Sequence, residues 1–203
     1  MISAIACRIT EILCATGNIQ ECDRELYQYG VFMLLSWMFF FILTVTVGVF
    51  LGIPGESILF YAVFSLLRSY AGGVHAKTEK ACTLLTALTM TVCVTVIRLL
   101  KEFGRTEVPL FFLFTGAVCV FVLSPLDTEE KPLAAPERQH YRKIANIITL
   151  LSIAVALLAH YTTHNGILRG ISVGVFVEGM LLILGSVKAG LTTVKNRSRH
   201  SAK

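Results

Sequence analysis

The chain reads as long apolar runs cut by short polar segments. Val31 to Leu51 carries no charge and includes Trp37, Phe39, Phe40 and Phe41, enough length to cross a hydrocarbon layer of roughly 30 Å. Gly52-Ile53-Pro54-Gly55 is a turn signal, and the apolar run behind it, Ser57 to Leu67, is only eleven residues long. At ~1.5 Å per residue such a run covers about half a membrane unless Arg68 to Gly73 continue the element or the segment is re-entrant. Four further runs follow: Ala81 to Leu100, Val108 to Leu123, Ile144 to Tyr161 and Ile167 to Val187. Ahead of all of them, Ile2, Ile5, Ile9, Ile12 and Leu13 repeat at the spacing of one helical face, with Arg8 and Glu11 off that stripe. Residues 1–16 are therefore expected to form a helix lying on the membrane surface or packed on the bundle, ended by Gly17-Asn18.

The expected fold is an all-α, polytopic membrane helical bundle of about six transmembrane helices with an N-terminal amphipathic helix. It forms one membrane domain over 1–203: an amphipathic segment at 1–25, a transmembrane bundle at 31–187 and a basic cytoplasmic tail at 188–203. A four-span arrangement with re-entrant runs is the alternative.

Composition agrees with the pattern. Hydrophobic residues make up 55% of the 203 and charged residues 15%, with a mean hydropathy of +0.71, outside the range of a soluble globular domain. The net charge of +5 does not point to nucleic acid, because the basic residues sit in short patches between apolar runs without interleaved aromatics. They orient the chain instead. With both termini cytoplasmic and six crossings, fourteen of the eighteen Lys and Arg residues lie inside, and only Arg98, Lys101, Arg105 and Arg169 lie outside. The chain is thus expected in the cell membrane, multi-pass, with the lipid bilayer as its surroundings. No cleavable secretory signal is expected, since the first long apolar run is too long for a signal-peptide core. The six cysteines include no CxxC pair, and Cys93 and Cys119 fall inside apolar runs, so free thiols are expected.

One segment does not fit a lipid-facing helix: Arg68-Ser-Tyr-Ala-Gly72-Gly73-Val-His75-Ala-Lys77-Thr78-Glu79-Lys80-Ala-Cys82. Gly-Gly weakens a helix and charges resist burial, so the segment asks for a chemical reason. Cysteine attacks as thiolate, and histidine is the side chain best matched to take its proton near neutral pH. On one continuous helix, His75 and Cys82 would stand ~10.5 Å apart along the axis, too far for proton transfer. The backbone must therefore bend between them. Thr78 as N-cap would start the third span and set Cys82 one turn inside, where the helix dipole favours a thiolate; Gly72-Gly73 would let His75 fold back over that helix end. An oxyanion donor is expected among amides of the helix start near Cys82.

Simpler readings stand beside these. Cys93 and Cys119 are small apolar fillers, and Cys7 and Cys14 are helix-face residues. His140, His160, His164 and His200 are solvated, and Lys77 and Lys80 are topology charges. No zinc-ligand spacing occurs around His75, Glu79 and Cys82, so neither a metal nor a cofactor is expected. A small membrane transporter, or a non-enzymatic membrane sensor or assembly factor, are the competing functional classes.

The pattern Arg68-x-x-Ala71-Gly72-Gly73-x-His75-Ala76 followed by Cys82 resembles the signature of the accessory gene regulator B (AgrB) family, membrane-embedded cysteine endopeptidases of Gram-positive bacteria. Ser124-Pro-Leu-Asp127-Thr-Glu-Glu130-Lys131-Pro132-Leu133 is similar to the family's Pro-x-Asp…Lys-Pro loop, departing from it at Glu130, where asparagine is expected. Glu25-Leu-Tyr-Gln-Tyr29-Gly30 fits the lead-in to the first span. The likeness covers roughly residues 20–190. It implies cleavage of the C-terminal tail of an AgrD-like quorum-sensing propeptide, with Cys82 as nucleophile, His75 as base, an acyl-enzyme thioester, and cyclisation to a thiolactone or lactone. It also implies Arg68, Gly72, Gly73 and Lys131 as substrate-positioning residues, with Lys77 and Lys80 as further charges to attract the tail's carboxylates, and a homodimer; the distribution of Lys and Arg places the active site at the cytoplasmic face.

Overall fold

A computed structural model describes residues 2–16, 21–73, 78–126 and 135–201. Every described element is helical: α1 (Ile2–Ala15), a 3-10 turn at Glu21–Asp23, α2 (Arg24–Phe50), α3 (Pro54–Ala71), α4 (Glu79–Phe103), α5 (Glu107–Leu123), α6 (Ala135–Tyr161) and α7 (Asn165–Ser201). The chain divides into two compact units, Met1–Leu43 and Thr44–Lys203.

In the first unit α1 forms where its apolar spacing predicts, but its buried line is not the isoleucine stripe. Ala6 and Thr10 are fully buried, Thr10 returning its hydroxyl to the Ala6 carbonyl at 2.9 Å, whereas Ile5 and Ile12 are exposed. Close packing selects the small side chains, and the branched ones border them. Arg24 at the start of α2 meets Glu11 at 3.4 Å. α2 then runs for 27 residues, about 40 Å at ~1.5 Å per residue, with Leu34, Trp37, Phe39, Phe41 and Ile42 turned outward. Such exposed apolar surface is what a hydrocarbon solvent asks for.

The second unit opens on the expected turn. Gly52 has φ +69°, Ile53 is fully buried, and Pro54 opens α3 at a position whose missing N–H is no loss. The Ile53 amide donates back to Gly48 at 2.8 Å, and Ser57 packs where a Gly48 side chain would otherwise stand. α3 does not stop at Leu67. It continues through Arg68 to Ala71, 18 residues or about 27 Å, so the short apolar run is the inner part of a longer helix.

α7 is the centre of this unit. Its residues Leu168 and Gly170 to Val175 are buried, and glycines let its neighbours approach. A Cβ at Gly170 would lie 2.6 Å from the Glu56 carbonyl oxygen, and one at Gly174 3.2 Å from that of Phe60. α3 and α7 therefore run parallel. On the other side, Gly116 of α5 abuts Val175 and Phe176, Gly179 abuts Gly116 and Cys119, and the rings of Phe112 and Phe176 stack at 4.3 Å, so α5 is parallel to α7 too. α4 and α6 run the opposite way: Lys101 near the end of α4 meets Glu56 near the start of α3, and Tyr141 near the start of α6 meets Tyr70 near the end of α3. α6 turns a small-residue stripe, Ala145, Thr149, Ser152, Ala156 and Ala159, into the core. Small side chains let backbones close on one another where lipid supplies no hydrophobic drive between helices.

Four helices are long and apolar enough to cross a membrane: α2, α4, α6 from Pro136, and α7 over Asn165–Lys188. α5 is a shorter apolar helix of 17 residues. The expected count of six crossings thus exceeds what length and composition alone license. α7 also continues beyond the last apolar run, so the basic segment after Val187 is helical as far as Ser201.

Candidate functional site

The two segments singled out in the sequence meet at one end of the second unit. At the end of α3, the Leu126 amide donates to the Ala71 carbonyl at 2.9 Å, which gives an orphan carbonyl of the helix end its partner. The next two residues are glycines for different reasons. Gly72 has φ +82°, and a Cβ there would stand 2.9 Å from the Leu126 carbonyl oxygen. Gly73 has φ +138°, and the Arg68 guanidinium, through its Nη1, occupies the space where a Cβ would stand. That nitrogen donates to the Gly72 carbonyl at 3.1 Å, so Arg68 caps its own helix and favours the negative end of the α3 dipole.

The partner strip, Ser124-Pro125-Leu126, follows α5 directly. The Ser124 amide closes that helix on the Val120 carbonyl at 3.0 Å, and the Ser124–Pro125 bond is cis. Arg142, from α6, donates to the Phe121 carbonyl at 3.4 Å. Each of the two parallel helices ending here therefore has an arginine on a carbonyl of its C-terminal end.

α4 begins where the capping argument predicts. Thr78 is its N-cap with extended backbone, its Oγ1 accepts from the Ala81 amide at 3.3 Å, and its carbonyl accepts from the Cys82 amide at 2.9 Å. Cys82 is a free, part-exposed thiol in the first turn. Partial exposure there admits a reactant. The expected oxyanion donors need revision in part, because the amides of Ala81 and Cys82 are both engaged by Thr78. Gly73 and Thr78 are five residues apart, so their Cα atoms lie within about 18 Å of one another. His75, Lys77 and Lys131 lie outside the described residues.

The other cysteines follow the simpler readings. Cys93 is buried in the α4 interface, Cys119 packs on Gly179, Cys7 lies on a helix face 3.4 Å from Glu11, and none of the six forms a disulfide. His160 departs from expectation: its Nδ1 is buried and accepts nothing, whereas His140 and His164 are exposed. Among the described residues no group of three or more His, Cys, Asp or Glu side chains is placed to hold a metal.

Two features went unremarked in the sequence. At the far end from the glycine turn, Glu56 gathers Arg169 at 3.5 Å and Lys101 at 3.8 Å while only 14% exposed. The second is Glu178, 0% exposed within α7. A carboxylate in an apolar run is costly in a membrane, and that cost was the available signal.

All-helical in its described residues, with four helices able to span a bilayer, the chain has the architecture of an integral membrane protein, and it carries a cysteine in the first turn of a Thr78-capped helix, nine residues after a glycine pair. Accessory gene regulator B matches residues 6–183, and the chain belongs to that family. It is 25% identical over 197 residues to a protein of Clostridium perfringens strain 13 described as AgrB-like protein 2, covering 90% of this chain and 91% of that one. It is also 25% identical over 201 residues to Protein FsrB of Enterococcus faecalis, covering 88% of this chain and 79% of that one. No solved structure matches.

Proposed function

We propose that the protein is a membrane cysteine endopeptidase that removes the C-terminal tail of an AgrD-like quorum-sensing propeptide and promotes cyclisation of what remains. The observation that carries this reading is the Thr78-capped start of α4, which sets a part-exposed Cys82 thiol in the first helical turn. Family membership and the Ala71–Leu126 link between the two motif segments support it.

In the proposed reaction His75 takes the Cys82 proton, and the thiolate adds to a peptide carbonyl on the C-terminal side of the signal segment. Collapse of the adduct breaks the C–N bond. The tail leaves as an amine carrying the proton from His75, and the acyl group stays on Sγ as a thioester. A cysteine or serine of the peptide then attacks that thioester, closing a thiolactone or lactone and returning the thiol. Thioester exchange costs little net free energy, and a site at the membrane boundary limits competing hydrolysis. Arg68 and Lys131, with Gly72 and Gly73 shaping the turn, would position the peptide.

In the same reading the chain crosses the cell membrane six times, with both termini and the site on the cytoplasmic face, and works as a homodimer. The alternation of the second unit's helices supports the count: α3, α5 and α7 run one way, α4 and α6 the other.

The deciding experiment is co-expression with a candidate propeptide, comparing wild type, Cys82→Ala and His75→Ala by mass spectrometry of the fragments. Wild type should release the tail, and both variants should release none while reaching the membrane normally. Normal cleavage by either variant would remove the mechanism and return attention to a transporter or sensor.

A further inference from the structure

Glu178 is the one acidic residue after Glu137, and it is 0% exposed. Neither of its carboxylate oxygens has a hydrogen-bond partner. A bare charge in such a place is costly, so its retention needs a counter-charge or a task. The packing register says where to look. α3 and α7 run side by side, Gly170 lying on Glu56 and Leu59, and Gly174 on Phe60 and Val63. Both helices advance about one turn per four residues, so the next step on α7, Glu178, comes level with the turn of α3 that carries Phe64, Leu67 and Arg68. Arg68 is the one cation that α3 carries.

Arg68 is the residue that holds the glycine turn. Its Nη1 donates to the Gly72 carbonyl at 3.1 Å and fills the space beside Gly73. A guanidinium presents five N–H donors in a rigid fork, so one edge can serve Gly72 while the rest of the group faces a carboxylate. The sequence of influence runs from the core of α7, through Arg68, to the turn ahead of His75.

We propose that Glu178 is a positioning residue of the candidate site, the buried counter-charge that holds the Arg68 guanidinium under the Gly72–Gly73 turn. Its consequence for cleavage rests on the peptidase reading; the pairing with Arg68 does not.

The test is a double-mutant cycle on the full-length protein in detergent: wild type, Arg68→Gln, Glu178→Gln and the double variant. Removing Arg68 leaves Glu178 uncompensated in the core, so Arg68→Gln should lower the unfolding midpoint by on the order of 10 °C, and removing Glu178 leaves a half-buried guanidinium unpaired, so Glu178→Gln should lower it by less. The double variant, with no charge to compensate, should recover most of that loss. If a single variant does not accumulate, accumulation itself is read: recovery in the double variant supports the pair and continued loss overturns it. Additive losses, or unchanged midpoints in the single variants, overturn it as well.

Tail release from the propeptide supplies the second readout, one that a purely structural role would not move. Per folded protein, Glu178→Gln should lower kcat about tenfold and KM little, Glu178→Asp should restore part of the rate, and the double variant should be no slower than Arg68→Gln. Rate losses that multiply in the double variant overturn the positioning role. The thermal cycle needs no peptide, which separates the two ideas. A wild type that releases no tail while the thermal coupling persists sinks the peptidase reading and supports the pair; a wild type that cleaves while both cycles are additive sinks the pair alone.

Discussion

Thr78 carries two hydrogen bonds of the α4 start, one through its hydroxyl and one through its carbonyl. Only the first depends on the side chain. Thr78→Ala should therefore cost about 1 kcal/mol of helix-start stability and slow tail release roughly fivefold, while Thr78→Ser should retain wild-type rates. Fragment yields timed by mass spectrometry check both. Gly73→Ala is the harsher change, since its Cβ would fall on the Arg68 guanidinium and its φ of +138° is strained for any side chain. A loss of more than about tenfold in tail release is expected from strain of ~1–3 kcal/mol and the displaced arginine. These residues were legible in the sequence for local reasons: a threonine ahead of Glu79 and an apolar run is a capping signal, and Gly-Gly between helices signals a backbone that side chains would obstruct. Glu178 was as visible, but it needed the rule that an ionisable group inside an apolar run has a task. The bond between Ala71 and Leu126 was not legible, because it joins backbone atoms whose meeting depends on the whole packing of α3 against the end of α5.

Helices proved longer than their apolar runs. α2 starts at Arg24 rather than near Val31, α6 at Ala135 rather than Ile144, and α3 ends at Ala71 rather than Leu67. Hydropathy registers only what lipid requires, whereas Glu137 to Lys143 are charged or polar helix formers that extend the helix beyond the apolar part. Which face of each helix is buried also escaped the apolar pattern. In a membrane both faces are apolar, and the packed face is marked by small residues instead, as at Gly170 and Gly174 of α7, Gly116 of α5 and the Ala145–Ala159 stripe of α6. Gly170→Leu should consequently wedge α7 off α3 and lower the unfolding midpoint in detergent, at a cost of ~1–3 kcal/mol or more. Gly30→Ala makes the opposite case. Nothing stands within 4 Å of a Cβ at Gly30, and alanine is the better helix former, so the midpoint should hold or rise slightly.

Across the molecule, charge marks the two ends. Glu56, Lys101 and Arg169 gather at one end of the second unit, and Arg68, Arg142 and Cys82 lie towards the other. Because the Glu56 cluster is remote from the glycine turn, Glu56→Gln should reduce the amount of assembled protein and leave the turnover of what assembles unchanged. Quantitative blotting beside a cleavage assay separates the two effects. The six-crossing arrangement makes a further prediction. Single cysteines introduced at Arg105 and Thr163 should react with a membrane-impermeant maleimide applied to intact cells, and one at Lys143 should react only after the cells are opened. Labelling of all three from outside would rule the arrangement out.

The hydrogen bond from Leu126 to Ala71 has a mechanical consequence. It rivets the beginning of one motif loop to the final turn of the helix that leads into the other, five residues ahead of Lys131 and four ahead of His75. A peptide that took hold of Lys131 would pull on the same rivet that steadies Gly72. On the proposed peptidase reading, the peptide's hold on Lys131 and the placing of His75 as base would both bear on that single backbone amide.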